Sequence, residues 1–415
     1  MIHVGYHQAS ILFSDICLPL EGYEQRFACN GLPTGIHDPL YVKVLSLCDG
    51  QSEQLLISLD LCILSTEYVS DVKKAILEAY GIQESQICIC VSHTHSGPVT
   101  VNAWEDISGG EPLSLYKEFE REIERYLKTL KQTIIAVIGY ARANRRPAKT
   151  SFTTAKAKLG FNRRGTQRDG SLVNCFSLWE RSDAVLDGVV EERIPTLLFE
   201  MLEDEKYDEY LCPQDPKCIV LFSVALHPVV MGKHSTQISA DYPGVACKTI
   251  EKTLGPGTKA MFMLGACGDT EPYLATQQNW QAIDIIGKAV AYSVLAALAN
   301  RKPVLTDKLW CASKMIEPTH SDDNPVAVGV LGIGEAVIAS VGAECFAQAS
   351  FDVLDQGNVP FCLLATNANG WAGYLPTEEA YRKGGYEVSE GKMDVDQRRL
   401  SLVTRLLLEM MHTGD

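Results

Sequence analysis

The chain has 14 cysteines in 415 residues but no C-x-x-C pair and no regular cysteine spacing. That argues against a disulfide framework, and Cys62, Cys88, Cys90, Cys247, Cys311 and Cys362 inside apolar runs read as reduced, buried thiols. Basic residues are in the minority, 37 Lys and Arg against 52 Asp and Glu, for a net charge of −15 and a pI near 5.1. A nucleic-acid or anionic-membrane footprint needs a basic face, so both partner classes are excluded and the acidity reads as solubility. The opening residues Met1 to His7 show neither a basic n-region nor an apolar h-region, so no signal peptide is expected. No uninterrupted apolar run reaches the roughly 18 residues of a membrane span, so none is expected. These absences together point to the cytoplasm. Internal repeats, low-complexity tracts and linkers are also missing. What remains is 46% hydrophobic residues at a mean hydropathy of −0.01, enough for a large packed core.

Strand and helix signals alternate, the pattern of an α/β sheet protein. Tyr41–Cys48 and Leu55–Leu61 read as strands joined at Asp49-Gly50-Gln51-Ser52. Tyr68–Tyr80 reads as a helix closed by Gly81, and Gln86–Val91 as the next strand. Ser114 is placed to cap a long helix with Phe119, Ile123, Tyr126, Leu127, Leu130 and Ile134 on one face. Further strands are expected at Ile219–Ala225, Ala260–Leu264 and Phe361–Thr366, with a hairpin of Val326–Ile333 and Ala336–Val341 around Gly334-Glu335. Further helices are expected at Tyr242–Leu254 with Asp241 as its cap, at Trp280–Leu298 and at Gln397–Met411. The stretch from about Glu180 to Pro216 is acidic and reads as including a surface excursion.

The chemistry gathers where strands stop. Cys88-Ile89-Cys90-Val91-Ser92-His93-Thr94-His95-Ser96-Gly97-Pro98 is an apolar strand ending in His-x-His before a Gly-Pro stop. Alternation along a strand would point His93 and His95 the same way. Ala225 leads to His227, Leu264 to Asp269, Val341 to Glu344, and Thr366 to Asn369 and Tyr374. In open α/β sheets, sites lie beyond the carboxyl ends of strands. Two His and one Glu with an open position form a recognised catalytic zinc set. The plain alternatives are that His227 only ends a strand before Pro228, that Tyr374 is packing, and that Arg163 beside Arg164 and Arg168 belongs to a solvated loop. Asp60, buried by context, either orients a metal-bound His or caps a backbone turn.

With these residues in hand, the chain resembles the neutral/alkaline non-lysosomal ceramidases in their N-terminal catalytic domain. Ser92-His93-Thr94-His95-Ser96-Gly97-Pro98 is similar to that family's T-H-T-H-S-G-P. Ala225-Leu226-His227-Pro228 with Ser239-Ala240-Asp241 resembles its V-H-x-T-S-M and S-G-D segments. Val341-Gly342-Ala343-Glu344 resembles its P-G-E, and Asn369 to Thr377 its N-x-Y-x-x-Y-x-T-T, followed by Glu379, Tyr381 and Tyr386-Glu387. Gly35-Ile36-His37-Asp38-Pro39-Leu40-Tyr41 is similar to an early strand of the family. The resemblance implies one α/β catalytic domain over residues 1–415, a mixed sheet with flanking helices, and a zinc ion held by His93, His227, Glu344 and Tyr374. It further implies that His95, Tyr386 and Arg163 contact or polarise the substrate carbonyl.

Two departures bear on function. The family's G-D-x-S-P carries a serine important for catalysis, whereas Gly268-Asp269-Thr270-Glu271-Pro272 has Glu271 there. Long ceramidases also carry a C-terminal immunoglobulin-like domain, and this chain ends soon after Tyr386. The expectation is a zinc-dependent hydrolase of an N-acyl amide, on a small-molecule or lipid-like substrate, with Asp269, Glu271 or Asp241 as general base. A metal-dependent esterase or phosphoesterase, the latter with Asp60, Asp241 and Asp269 as extra ligands, and a non-catalytic metal-binding homologue are the alternatives.

Overall fold

A computed structural model describes residues 1–23, 26, 31–100, 114–180, 184–202, 216–318, 324–389 and 399–413. Aliphatic and β-branched runs form the principal strands: β1 (Ile2–Ser10), β2 (Tyr41–Cys48), β3 (Glu53–Leu59), β4 (Ile87–Val91), β5 (Arg146–Lys156), β6 (Arg193–Met201), β7 (Cys218–Val224) and β8 (Thr258–Leu264). With Lys302–Pro303 on β5 they make one nine-stranded sheet in the order β8-β7-β6-β5-β1-β2-β3-β4. The β3/β4 and β7/β8 pairs at its two ends are parallel and the others antiparallel, so the sheet is mixed. A second sheet of β9 (Leu309–Ile316), β10 (Val326–Ile333), β11 (Ala336–Val341) and β12 (Phe361–Ala365) runs in that order, with β11/β12 parallel.

The large sheet curls until its two ends approach. Lys43 on β2 donates to Ala260 O on β8 at 3.1 Å, and Ser58 on β3 donates to Phe262 O at 2.7 Å. The outer edge of β8 is completed by Glu251, which accepts from Ala260 N at 3.0 Å, and by Thr366 N, which donates to Leu264 O at 2.7 Å. Asn369 does the same for β4: its N donates to Ile89 O at 2.6 Å and its Oδ1 accepts from Ile89 N at 3.0 Å. Neighbouring segments thus take up backbone groups on both edges, which blunts them as templates for another strand.

Helices cover the faces. α1 (Thr66–Tyr80) starts on Ser65, whose side chain accepts from Tyr68 N, and ends at Gly81 with φ 73°, a left-handed turn that favours glycine. α2 (Ser114–Ala143) buries Tyr126, Leu130, Ile134 and Ile138 against β1 and β2. Its first residue is Ser114, whose side chain and expected cap lie outside the described residues. α3 (Asp241–Leu254) and α4 (Trp280–Ala297) pack on each other, on β8 and on β5. The helical stretch Trp280–Asn300 is long and apolar enough to cross a membrane, with a mean hydropathy of 1.7, although polar residues interrupt its apolar run. Its Ile283, Ile286, Val290 and Val294 face the core. Phe361, Leu363 and Ala365 of the second sheet share that core, while α5 (Gln348–Gln356) and α6 (Arg399–Thr413) cover the sheet's other face.

The fold adds to one expectation and corrects another. Within the acidic stretch, Arg193–Met201 is a strand that pairs with both β5 and β7; residues 181–183 and 203–215 lie outside the described residues. Asp241 does not cap its helix from outside. It is the first helical residue, with φ 54°, and Ala240 takes the cap position without a side-chain bond.

Candidate metal centre

β4, β7 and β11 all end on valine, and within a few residues each strand delivers one polar side chain to the same place. His93, His227 and Glu344 are all buried, and one potential ligand atom from each lies within 4.8 Å of the others. Strand alternation does not produce this. The strand stops at Val91, and His93 sits in the following turn with φ 65°, so the expected shared strand face of His93 and His95 is replaced by a bent backbone. The two rings still meet, with His95 Nε2 at 3.3 Å from His93 Nε2.

Backbone carbonyls set the imidazoles. His93 Nδ1 lies 2.8 Å from Cys62 O, and His227 Nδ1 lies 2.7 Å from Cys267 O. A neutral imidazole has a single N–H, and each spends it there, which turns a bare Nε2 inward. Both Nε2 atoms stand 3.4 Å from Glu344 Oε2. The other carboxylate oxygen, Oε1, accepts from Trp371 Nε1 at 2.9 Å, whereas the buried Oε2 has no hydrogen-bond partner. Lone pairs converging in a dry site call for a proton or a cation. Two imidazole nitrogens and a carboxylate oxygen, oriented by outer hydrogen bonds, fit a divalent ion of the zinc class. Without an ion, burial alone would raise Glu344, yet His93 and His227 hold it well below the usual carboxylate range. Burial alone would lower His93, yet Glu344 holds it above its ordinary value.

Cys62, His93 and His95 form a second cluster of ligand-type groups, but it is a poorer site. Cys62 Sγ lies 3.7 Å from the His93 Nδ1 that is already bound to Cys62 O, and burial keeps that thiol protonated. Burial, then His93 and His227, push His95 well below its ordinary value, so it faces the triad as a neutral ring. Nitrogens bound to one zinc ion stand about 3.4 Å apart, so the His93–His95 spacing is also compatible with a shared ion.

Tyr374 lies opposite Glu344 in a short parallel ladder, Glu344–Cys345 against Tyr374–Leu375, so both side chains leave on one side. Burial, then Glu344 and Tyr386, keep its phenol far above the usual range. Tyr386 stands with its ring centroid 5.9 Å from that of Tyr374. Arg163, expected to meet substrate, is buried and engaged within the protein. Its Nε donates to Glu387 at 2.8 Å, its Nη1 to Glu271 Oε1 at 2.8 Å and its Nη2 to Gly268 O at 2.6 Å.

The acidic candidates separate by what they already hold. Asp269 accepts from Ala347 N at 2.8 Å and from Asn162 Nδ2 at 2.7 Å, and burial raises it. Asp241 accepts from Tyr242 N at 2.7 Å and Met231 N at 3.3 Å, and burial pushes it up to about 7. Asp60 accepts from Tyr41 N at 2.9 Å and lines a separate cavity of about 750 Å³ with Lys43 and Glu251, so it takes the backbone role rather than orienting a histidine. Glu271 alone of these keeps a buried oxygen, Oε2, without a partner. Sequence reasoning missed the Cys62 and Cys267 carbonyls, which carry no side-chain signal, and the bond from Trp371, although that residue lies in the motif quoted above.

No family model matches the chain, and no curated protein matches it. Among solved structures, neutral ceramidase from Pseudomonas aeruginosa is similar at a TM-score of 0.76 and 13% identity, over 99% of this chain and 74% of that one. A ceramidase complexed with C2 gives the same values. At that identity the likeness shows the fold, which is the α/β architecture of the neutral ceramidase structures.

Proposed function

We propose that the chain is a zinc-dependent hydrolase of a linear amide, removing an acyl group from nitrogen. The observation that carries this reading is the convergence of His93 Nε2, His227 Nε2 and the unpartnered Glu344 Oε2 in a buried site. The ceramidase-like fold around it favours amide chemistry. A zinc ion held by these residues, with Tyr374 beside them, would polarise a carbonyl and acidify water. The remaining work falls to the chain. His95, beside His93, and Tyr386, beside Tyr374, contact the acyl carbonyl in this reading. Water oxygen bonds to the carbonyl carbon as its proton passes to Glu271 Oε2. The C–N bond then breaks and that proton goes to the departing nitrogen, leaving a carboxylic acid and an amine. Arg163 fixes Glu271 for this role through Oε1.

A two-metal phosphoesterase is less well supported, since Asp60, Asp241 and Asp269 already accept from backbone or amide donors. We favour a soluble N-acyl compound over membrane-embedded ceramide as substrate, and a cytoplasmic setting, supported by the buried thiols Cys62, Cys88, Cys90, Cys247, Cys345 and Cys362. Elemental analysis together with turnover of a panel of N-acyl amides and phosphoesters tests the reading. About one zinc per chain and amide cleavage are expected; phosphoester cleavage alone, or no bound metal, overturns it.

A further inference from the structure

Once Glu344 Oε2 is accounted for, the triad still has buried polar atoms around it that lack partners among the described residues, and two of them are complementary. Tyr23 Oη can donate, and Glu271 Oε2 can only accept as a carboxylate. Tyr23 is not a stray surface ring. Its loop is pinned to the segment around His95: Glu21 N donates to Gly97 O at 2.9 Å, and Val99 N donates to Pro19 O at 2.9 Å. Gly22, between Glu21 and Tyr23, has φ 98°, and a Cβ there would stand 2.4 Å from the His95 ring. Tyr23 itself meets His95 edge-on at 5.0 Å between centroids, while the Arg26 guanidinium sits 4.6 Å from the centre of the Tyr23 ring. Glu271 is held by Arg163, whose guanidinium lies 5.6 Å from the centre of the Tyr374 ring, and the Glu271 charge acts on the Tyr23 phenol. Tyr23 thus reaches the triad's surroundings through His95, and Glu271 reaches them through Arg163 beside Tyr374.

A buried donor and a buried acceptor facing one site are satisfied together by a molecule that accepts from one and donates to the other, and water is the smallest that does so. We propose that Tyr23 Oη and Glu271 Oε2 share the water that attacks the scissile carbonyl, the phenol donating to it and the carboxylate accepting from it. This rests on the hydrolase reading above. Tyr23 keeps its own proton throughout: burial holds the phenol far above its ordinary value, Arg26 opposes this, and the charge of Glu271 adds to it. The hydrogen bond from the phenol leaves a lone pair of the water directed away from it, and the proton lost as the new C–O bond forms goes to Glu271.

A crystal structure of the metal-free protein tests the geometry apart from turnover. One water is expected within about 3.2 Å of both oxygens, and Tyr23→Phe should keep the fold and lose that water. Oxygens too far apart to share a water overturn the proposal. In zinc-loaded protein, Tyr23→Phe should lower kcat by about 10–100-fold with KM within about twofold and zinc content unchanged. Combined with Glu271→Gln, it should cost little beyond Glu271→Gln alone, because both act on one water. Full kcat in Tyr23→Phe overturns the proposal while leaving the hydrolase reading intact. Wild-type protein that cleaves no amide overturns both.

Discussion

Glu271 shows how one side chain can redirect a site. It occupies the position of a hydroxyl residue in the motif it resembles, and Arg163 holds one of its oxygens at 2.8 Å while the other stays unpartnered. Glu271→Gln preserves shape and the Arg163 contact but cannot take a proton. Turnover should fall by roughly 10²–10⁴-fold with zinc content and melting temperature retained. Near wild-type turnover would move the base elsewhere, and Asp269 and Asp241 are poor successors because their oxygens are occupied. Gly22 gives a second test at this scale. An alanine there meets both the left-handed φ of 98° and the His95 ring at 2.4 Å. Gly22→Ala should displace His95 and lower turnover at least tenfold, with zinc still bound by His93, His227 and Glu344. If zinc is lost in parallel with turnover, His95 belongs to the ligand set.

The elements explain what could be read beforehand and what could not. The strand at Tyr41–Cys48 and the hairpin around Gly334-Glu335 were legible residue for residue, because an aliphatic run bounded by turn residues has few other readings. β6 was hidden by Pro195 inside it and by acidic flanks. β1, β5 and β9 and the helix Gln348–Gln356 carry no clear signal either; β5 and β9 mix polar residues into their runs, with Lys149, Thr150, Ser151 and Thr153 in one and Ser313 and Lys314 in the other. The ligand types His93, His227 and Glu344 are legible from strand ends and the resemblance implies that they meet, but the turn at His93 and the meeting of two sheets that bring them together are not legible. Asn369 shows this limit well. Its amide closes the edge of β4 at Ile89 from a backbone with φ 65°, and neither feature has a sequence signature. Asn369→Ala removes the acceptor and leaves Ile89 N unpaired in a buried setting, a loss of about 1–3 kcal/mol. The melting temperature should drop by a few degrees, and Asn369→Asp should recover part of it by restoring the acceptor. An unchanged melting temperature for the alanine variant would show that the edge is held by other bonds.

At the scale of the whole molecule, the triad is a tie between the two sheets. His93 and His227 follow β4 and β7 of the large sheet, and Glu344 follows β11 of the small one. An ion that binds this arrangement and not the unfolded chain stabilises the whole fold, by about 2.7 kcal/mol at a hundredfold excess over its Kd. The pH dependence has a definite sign. In the metal-free protein Glu344 is depressed, so its contribution is present above the ordinary value of 4.5 and is lost as pH falls through its lowered native pKa. His93 is raised, so its contribution is present below the ordinary value of 6.5 and is lost as pH climbs through its raised native pKa. The ion pair therefore supports the metal-free fold most fully between those two ordinary values and weakens above them. Zinc requires the opposite state, an unprotonated Nε2, so its binding strengthens as His93 gives up its proton. The gap in melting temperature between zinc-loaded and metal-free protein should accordingly widen from pH 5.5 to pH 8, reaching roughly 3–5 °C near neutrality at that excess. His93→Ala should abolish the gap at every pH. A gap that stays constant or narrows with rising pH would mean that the metal does not displace a proton from this triad, and that the ion, if bound, is held elsewhere.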